Sequence, residues 1–154
     1  MSVSFTGLTP NNLPTNQRAV LDANYIKSTA LPASAATVHG ASLDLGDAVS
    51  GIPYVTTETV NFQIVAPALS SAPKIADSGT VTYTIEDSAD NSSFTAISSL
   101  ATLVQTGAGG VGAAGTTLTV KLPPSTRRYV RVSATTATSP GDLSTASYTM
   151  QLAF

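Results

Sequence analysis

The chain has 154 residues, a length suited to one domain, since single domains usually run to roughly 100–200 residues. Hydrophobic residues supply 42% of it, but Asp, Glu, Lys and Arg only 10%, against about 25% in a typical soluble domain; 19 serines and 23 threonines fill the gap. That balance excludes wholesale disorder, a net charge of −2 without a long basic stretch argues against nucleic-acid binding by counterion release, and the lack of cysteine removes disulfides, thiolate nucleophiles and Cys-based zinc sites.

The opening Met1–Gly7 has neither a basic nor an apolar region of the kind that marks a secretory leader, and no apolar stretch approaches the ~20 residues of a membrane-spanning helix. Residues 1–36 read as an N-terminal extended arm. Pro10, Pro14 and Pro32 punctuate it, Asn11, Asn12 and Asn16 add turn chemistry, and apolar periodicity is weak. One short helix is expected from Gln17 to Lys27, capped by Thr15 or Asn16, with Val20, Leu21 and Tyr25 on one side. Arms of this kind are disordered or laid across a neighbouring subunit.

From Thr37 onward apolar and polar residues alternate with a period of two, as half-buried strands require. Ala41, Leu43 and Leu45 form a first short apolar face, and Val60, Phe62 and Ile64 a second. Over Thr80–Asp87, Val81, Tyr83 and Ile85 alternate with Thr82, Thr84 and Glu86. Phe94–Ile97 and Leu100–Val104 are shorter strands. Thr116–Leu122 turns Leu118, Val120 and Leu122 inward; Arg128–Ala134 does the same with Val130, Val132 and Ala134. Ser144–Phe154 closes the series with Ala146, Tyr148, Met150, Leu152 and Phe154 on one face.

Glycine, proline, asparagine and aspartate mark the turns between these runs, from Gly46-Asp47 to Pro140-Gly141-Asp142. About eight short strands, rich in Thr and without a helical segment between them, predict an all-β fold over residues 37–154: an antiparallel β-sandwich. Only Lys27, Lys74 and Lys121 supply lysine, the side chain that most often guards strand edges against pairing with another molecule. A Ser/Thr/Ala surface also loses little side-chain entropy on contact, so self-association is expected.

Each apparent chemical motif has a plainer reading. Gly107-Ala-Gly109-Gly-Val-Gly112 matches the dinucleotide pattern GxGxxG, which needs a helix to follow; Thr116–Leu122 reads as a strand, and Arg127 and Arg128 stand where an acidic ribose ligand belongs. Asp87, Asp90 and Asn91 suggest a calcium loop, but an EF-hand's Gly and Glu positions hold Ser92 and Ser98, so turn chemistry is expected. His39 is the only histidine, in register with Ala41, Leu43 and Leu45, and so is expected as a structural residue near the core. Glu58 and Glu86 give no paired-carboxylate signal. Arg127, Arg128 and Arg131 around Tyr129 suggest a phosphate or RNA surface, yet alternation puts only Tyr129 and Arg131 on one face; one or two of the arginines read as partner-contact or solubility residues. No catalytic, cofactor-binding or metal-ligating residue is assigned.

Three segments together carry a resemblance: Thr80–Ile97, with its Asp-Ser-x-Asp turn and Phe94-Thr95; Arg128-Tyr-Val-Arg-Val132; and Ala41-Ser-Leu-Asp-Leu-Gly46. They resemble the cement or decoration proteins of tailed bacteriophages, which are jelly rolls. The resemblance spans roughly Thr37 to Phe154 and implies a non-enzymatic virion protein on the capsid exterior. Its implied partners are the major capsid protein of a phage shell and copies of itself, a trimer first and a dimer second. Nucleic acid, membrane and cofactors have no part in that expectation. The alternatives are a phage tail or baseplate structural protein, and a carbohydrate-binding β-sandwich module; the latter usually needs aromatic platforms, and the chain has no Trp.

Overall fold

The structure is a computed structural model that describes residues 26–46, 61–70, 75–137 and 141–153. Ten strands follow in chain order: β1 (Ile26–Ala30), β2 (Thr37–His39), β3 (Leu43–Asp44), β4 (Asn61–Ala66), β5 (Thr80–Ser88), β6 (Thr95–Ala96), β7 (Leu103–Thr106), β8 (Thr116–Lys121), β9 (Tyr129–Thr136) and β10 (Ser147–Ala153). They form two antiparallel sheets. The first has the order β1-β10-β4-β8; in the second β9 and β5 lie side by side, with β2 and β3 along the outer side of β9 and β6 and β7 along that of β5.

Counting β2 with β3 and β6 with β7 as interrupted single strands leaves four strands per sheet. Every connection then crosses from one sheet to the other except the one from β5 to β6, the path of an eight-stranded jelly roll. Alternation explains which faces meet. Tyr148, Met150 and Leu152 of β10 and Phe62, Ile64 and Ala66 of β4 pack against Val81, Tyr83 and Ile85 of β5 and Val130, Val132 and Ala134 of β9. Burying each such side chain contributes roughly 1.5–3 kcal/mol, and more of the core's apolar area comes from these four central strands than from the edges.

Two buried phenols tie the layers together. The rings of Tyr83 and Tyr148 meet edge to face with centroids 5.5 Å apart, and the Tyr148 hydroxyl donates to the Val132 carbonyl at 2.7 Å. Burial pushes the Tyr148 phenol up to about 12, so it remains a donor throughout the ordinary pH range. Among the described residues no buried side-chain nitrogen or oxygen lacks a hydrogen-bond partner.

Two expectations need correction. Residues 26–36, read as part of the arm, belong to the sandwich: β1 pairs with β10 from Ile26↔Gln151 to Ala30↔Ser147, Leu31 is buried, and the Ala36 amide donates to Thr136 Oγ1. Ile26 and Lys27, the end of the expected helix, are strand; residues 17–25 lie outside the described residues, as do Val60 and Phe154. The period-two signal of β1 is hidden because an edge strand with Lys27, Ser28 and Thr29 buries little apolar surface.

His39, expected near the core, stands on the outer face, with its side chain 46% exposed. The register explains the inversion. His39 pairs with Ser133 and Leu43 with Val130, so three residues, 40–42, oppose two on β9. That extra residue is a β-bulge, and it moves the side chains before it to the opposite face from those after it. Val38, half-buried, and Leu43, buried, therefore point inward, and His39 and Ala41 are exposed. Gly40 sits at the bulge because space there is short: a Cβ would lie 2.8 Å from the Tyr148 hydroxyl and 3.1 Å from the Val132 carbonyl.

Candidate functional site

The two outward faces differ in chemistry. On the β9–β5 sheet, outward positions of neighbouring strands bring ionic groups together. Glu86 of β5 lies beside Arg131 of β9, and Arg131 Nε donates to Glu86 Oε2 at 2.7 Å. His39 Nδ1 is 3.4 Å from the same carboxylate oxygen. The Arg131 guanidinium also stacks on Phe94, 3.8 Å from the ring centroid, an aromatic seat for a cation.

Towards the end of the sheet, Arg127 grips Asp87. Its backbone amide donates to Oδ2 at 3.0 Å, its Nε to Oδ1 at 2.8 Å, and its terminal nitrogen reaches Oδ1 and Thr95 Oγ1. The Asp87 carboxylate beside it raises the Arg127 pKa further above an already high value. Arg128 forms a two-pronged pair with Asp44, Nε to Oδ1 at 2.8 Å and a terminal nitrogen to Oδ2 at 2.9 Å, and lies 5.0 Å from the Tyr129 ring centroid. That guanidinium holds Asp44 below the usual carboxylate range. The three arginines singled out in the sequence thus each hold a carboxylate of this chain.

The suspected calcium loop is occupied by protein donors. Asp87 accepts from Arg127, while Asp90 Oδ1 accepts from the Ser88 hydroxyl at 2.8 Å and from the Ser92 and Ser93 amides at 2.9 Å each. Asn91 Oδ1 accepts from the Ser42 hydroxyl at 2.6 Å, joining this turn to the bulged edge. Backbone and hydroxyl donation, the Ser93 amide foremost, depresses the Asp90 carboxyl to about 2. No group of three or more His, Cys, Asp or Glu that could hold a metal occurs among the described residues. The GxGxxG segment is a turn leading into β8; Gly109, Gly110 and Gly112 have positive φ, the Gly110 amide donates to Asp77 Oδ1 at 2.9 Å, and Val111 at the tip is 80% exposed. Glu58 lies outside the described residues.

The outer face of the β1-β10-β4-β8 sheet is nearly uncharged. Register and burial set Ser28 and Ala30, Ser147, Thr149 and Gln151, Asn61, Gln63 and Val65, and Thr117 and Thr119 on it. Lys121, at the end of β8, is the one charged residue among the outward positions of these four strands. At its centre Gln151 Nε2 donates to Gln63 Oε1 at 2.8 Å, an amide pair bridging β10 and β4.

Composition announced a neutral surface without saying where it lies; topology concentrates the neutrality on one sheet. Sequence reasoning missed Phe94 as the seat of Arg131 and missed Gln105, a buried amide discussed below. The only signal for Gln105 was its place in a strand where alternation calls for an apolar residue. No family model matches this chain, and no curated protein matches it.

Proposed function

We propose that this chain is a virion structural protein that decorates the outside of an icosahedral phage head and reinforces the contacts between capsomers. The observation that carries the reading is the neutral outer face of the β1-β10-β4-β8 sheet. Short hydroxyl side chains lose little rotamer entropy on contact, the Gln63 and Gln151 amides are already held by each other, and a face with one charged residue has little ionic desolvation to offset. The opposite face has its arginines already engaged with Asp44, Glu86 and Asp87, which suits a surface left facing water.

In this reading the neutral face of that sheet lies on the shell, and the charged face looks outward. Many weak contacts repeated over identical sites act together, and a ligand that prefers the assembled shell stabilises it by mass action. The role expected of the arm in attachment is tested by deleting residues from its N-terminal end. Such a deletion must stop at residue 25, because Ile26 begins β1.

The test is sedimentation of purified protein with undecorated heads. Saturable binding at a fixed ratio to the shell protein is expected, reduced at least tenfold by Ser147→Glu together with Thr117→Glu, both exposed on the outward face, with no matching fall in melting temperature. Failure of the wild-type protein to co-sediment overturns the reading. Attachment to purified tails and none to heads favours the tail or baseplate alternative.

A further inference from the structure

We propose that the outer edge of β8, the one away from β4, is a homodimer interface, in which two copies pair antiparallel about Thr119 and join their sheets into one. β8 is the last strand of its sheet, hydrogen-bonded to β4 alone among the described residues, and runs uninterrupted for six residues. A strand in that position presents a row of backbone donors and acceptors that another strand can complete.

The other edges each carry a device that blocks such pairing. Lys27 of β1 stands opposite buried Met150, on the inward side of an edge strand. β2 and β3 are separated by the bulge at residues 40–42. β6 has two residues and β7 four, with a turn between them. β8 has none of these: no proline, no inward charge and no bulge, in the sequence Thr-Thr-Leu-Thr-Val-Lys. Proteins that avoid edge pairing install such obstacles, and on this edge the one guard is Lys121, at the last position of the strand and on its outward side.

The strand also fits itself. A two-fold axis pairs residues whose numbers have a constant sum, and facing side chains must share a side of the sheet. Centred on Thr119, Leu118 opposes Val120 of the second copy and Thr117 opposes Lys121 of the second copy. Apolar meets apolar on the inner side, and the two lysines never face one another. Leu118 and Val120 pack on the core but are only partly buried, so a second strand completes their cover. A strand of the shell protein is the competing occupant, and the assay below uses this chain alone. A two-fold pairing gives a dimer, the second of the two oligomers implied by the resemblance.

The experiment is sedimentation velocity on the full chain. The wild type is expected at about twice the 15.6 kDa chain mass, and Thr119→Lys, which sets like charges directly opposite at an exposed position, at the single-chain mass. Thr119→Cys provides the positive counterpart. The chain has no other cysteine, so mild oxidation should give a covalent dimer, while Thr37→Cys on β2 should give none. A monomeric wild type, a Thr119→Lys variant that stays dimeric, or no cross-link through Thr119→Cys overturns the proposal. Because no shell is present, a chain that dimerises this way yet ignores phage heads keeps this inference and loses the proposed function, and the reverse result separates them equally.

Discussion

Gln105 offers the sharpest test of how the sandwich is held together. It is 3% exposed, and all its bonding capacity is directed inward: Oε1 accepts from the Tyr83 hydroxyl at 2.7 Å, and Nε2 donates to the Pro67 and Ala114 carbonyls at 2.8 Å each. One side chain thus joins β5 and β7 to the segments on either side of the Leu69–Ala113 bridge. Gln105→Leu keeps the volume and removes all three bonds. A buried group left unpaired costs about 1–3 kcal/mol. With the Tyr83 hydroxyl in the core and two carbonyls nearer the loops, the expected loss is ~3–5 kcal/mol, set against a total stability of about 5–15 kcal/mol. Urea unfolding should show a lower midpoint with an unchanged slope. Tyr83→Phe combined with Gln105→Leu should cost less than the two single changes added, because the double variant leaves no orphaned hydroxyl. A loss under about 1 kcal/mol, or strict additivity, refutes this account of the amide.

Four further outcomes are expected. Gly40→Ala should destabilise by ~1–3 kcal/mol through overpacking, and by less in a Tyr148→Phe background where the nearest clashing atom is gone; equal penalties in thermal melts would contradict the packing at the bulge. Gly107→Ala should be worse than Gly40→Ala, since its Cβ would fall 2.2 Å from the Ala76 carbonyl, and a smaller drop in melting temperature would show that the turn yields freely. Because the Asp90 pKa is depressed in the fold, its stabilising contribution is complete above the ordinary carboxylate value of 3.8 and disappears as pH falls towards about 2; the Ser92 and Ser93 amide shifts should follow that low-pH transition, and a midpoint near 4 would be inconsistent with their bonds to Asp90. Arg127→Ala should lower the melting temperature more than Arg128→Ala, because Arg127 leaves a nearly buried carboxylate behind and Arg128 an exposed one.

Legibility in the sequence followed burial. β5, β9 and β10 alternate cleanly because each lies in the middle of a sheet with one face in the core, and their expected bounds differ from the observed ones by three residues at most. β1 escaped because an edge strand next to Pro32 buries too little apolar surface to show a period. The misplacement of His39 has a different origin: alternation presumes an unbroken ladder, and the extra residue at 40–42 is visible only when both strands are paired. The arginine cluster was legible in composition and opaque in partnership. Asp44, Glu86 and Asp87 lie more than 40 residues from the arginines they hold, or exactly that far, and only the fold brings them together.

The position of β10 has a consequence for biosynthesis. The strand nearest the end of the described chain, Ser147–Ala153, is inserted between β1 and β4, which have no other link within their sheet. On the ribosome, where residues emerge in order, that layer stays split until β10 clears the exit tunnel, with β1 apart from the β4–β8 pair. Closure of this layer is therefore paced by ladders that join residues more than 80 positions apart, and a chain that lacks Ser147–Ala153 cannot complete it.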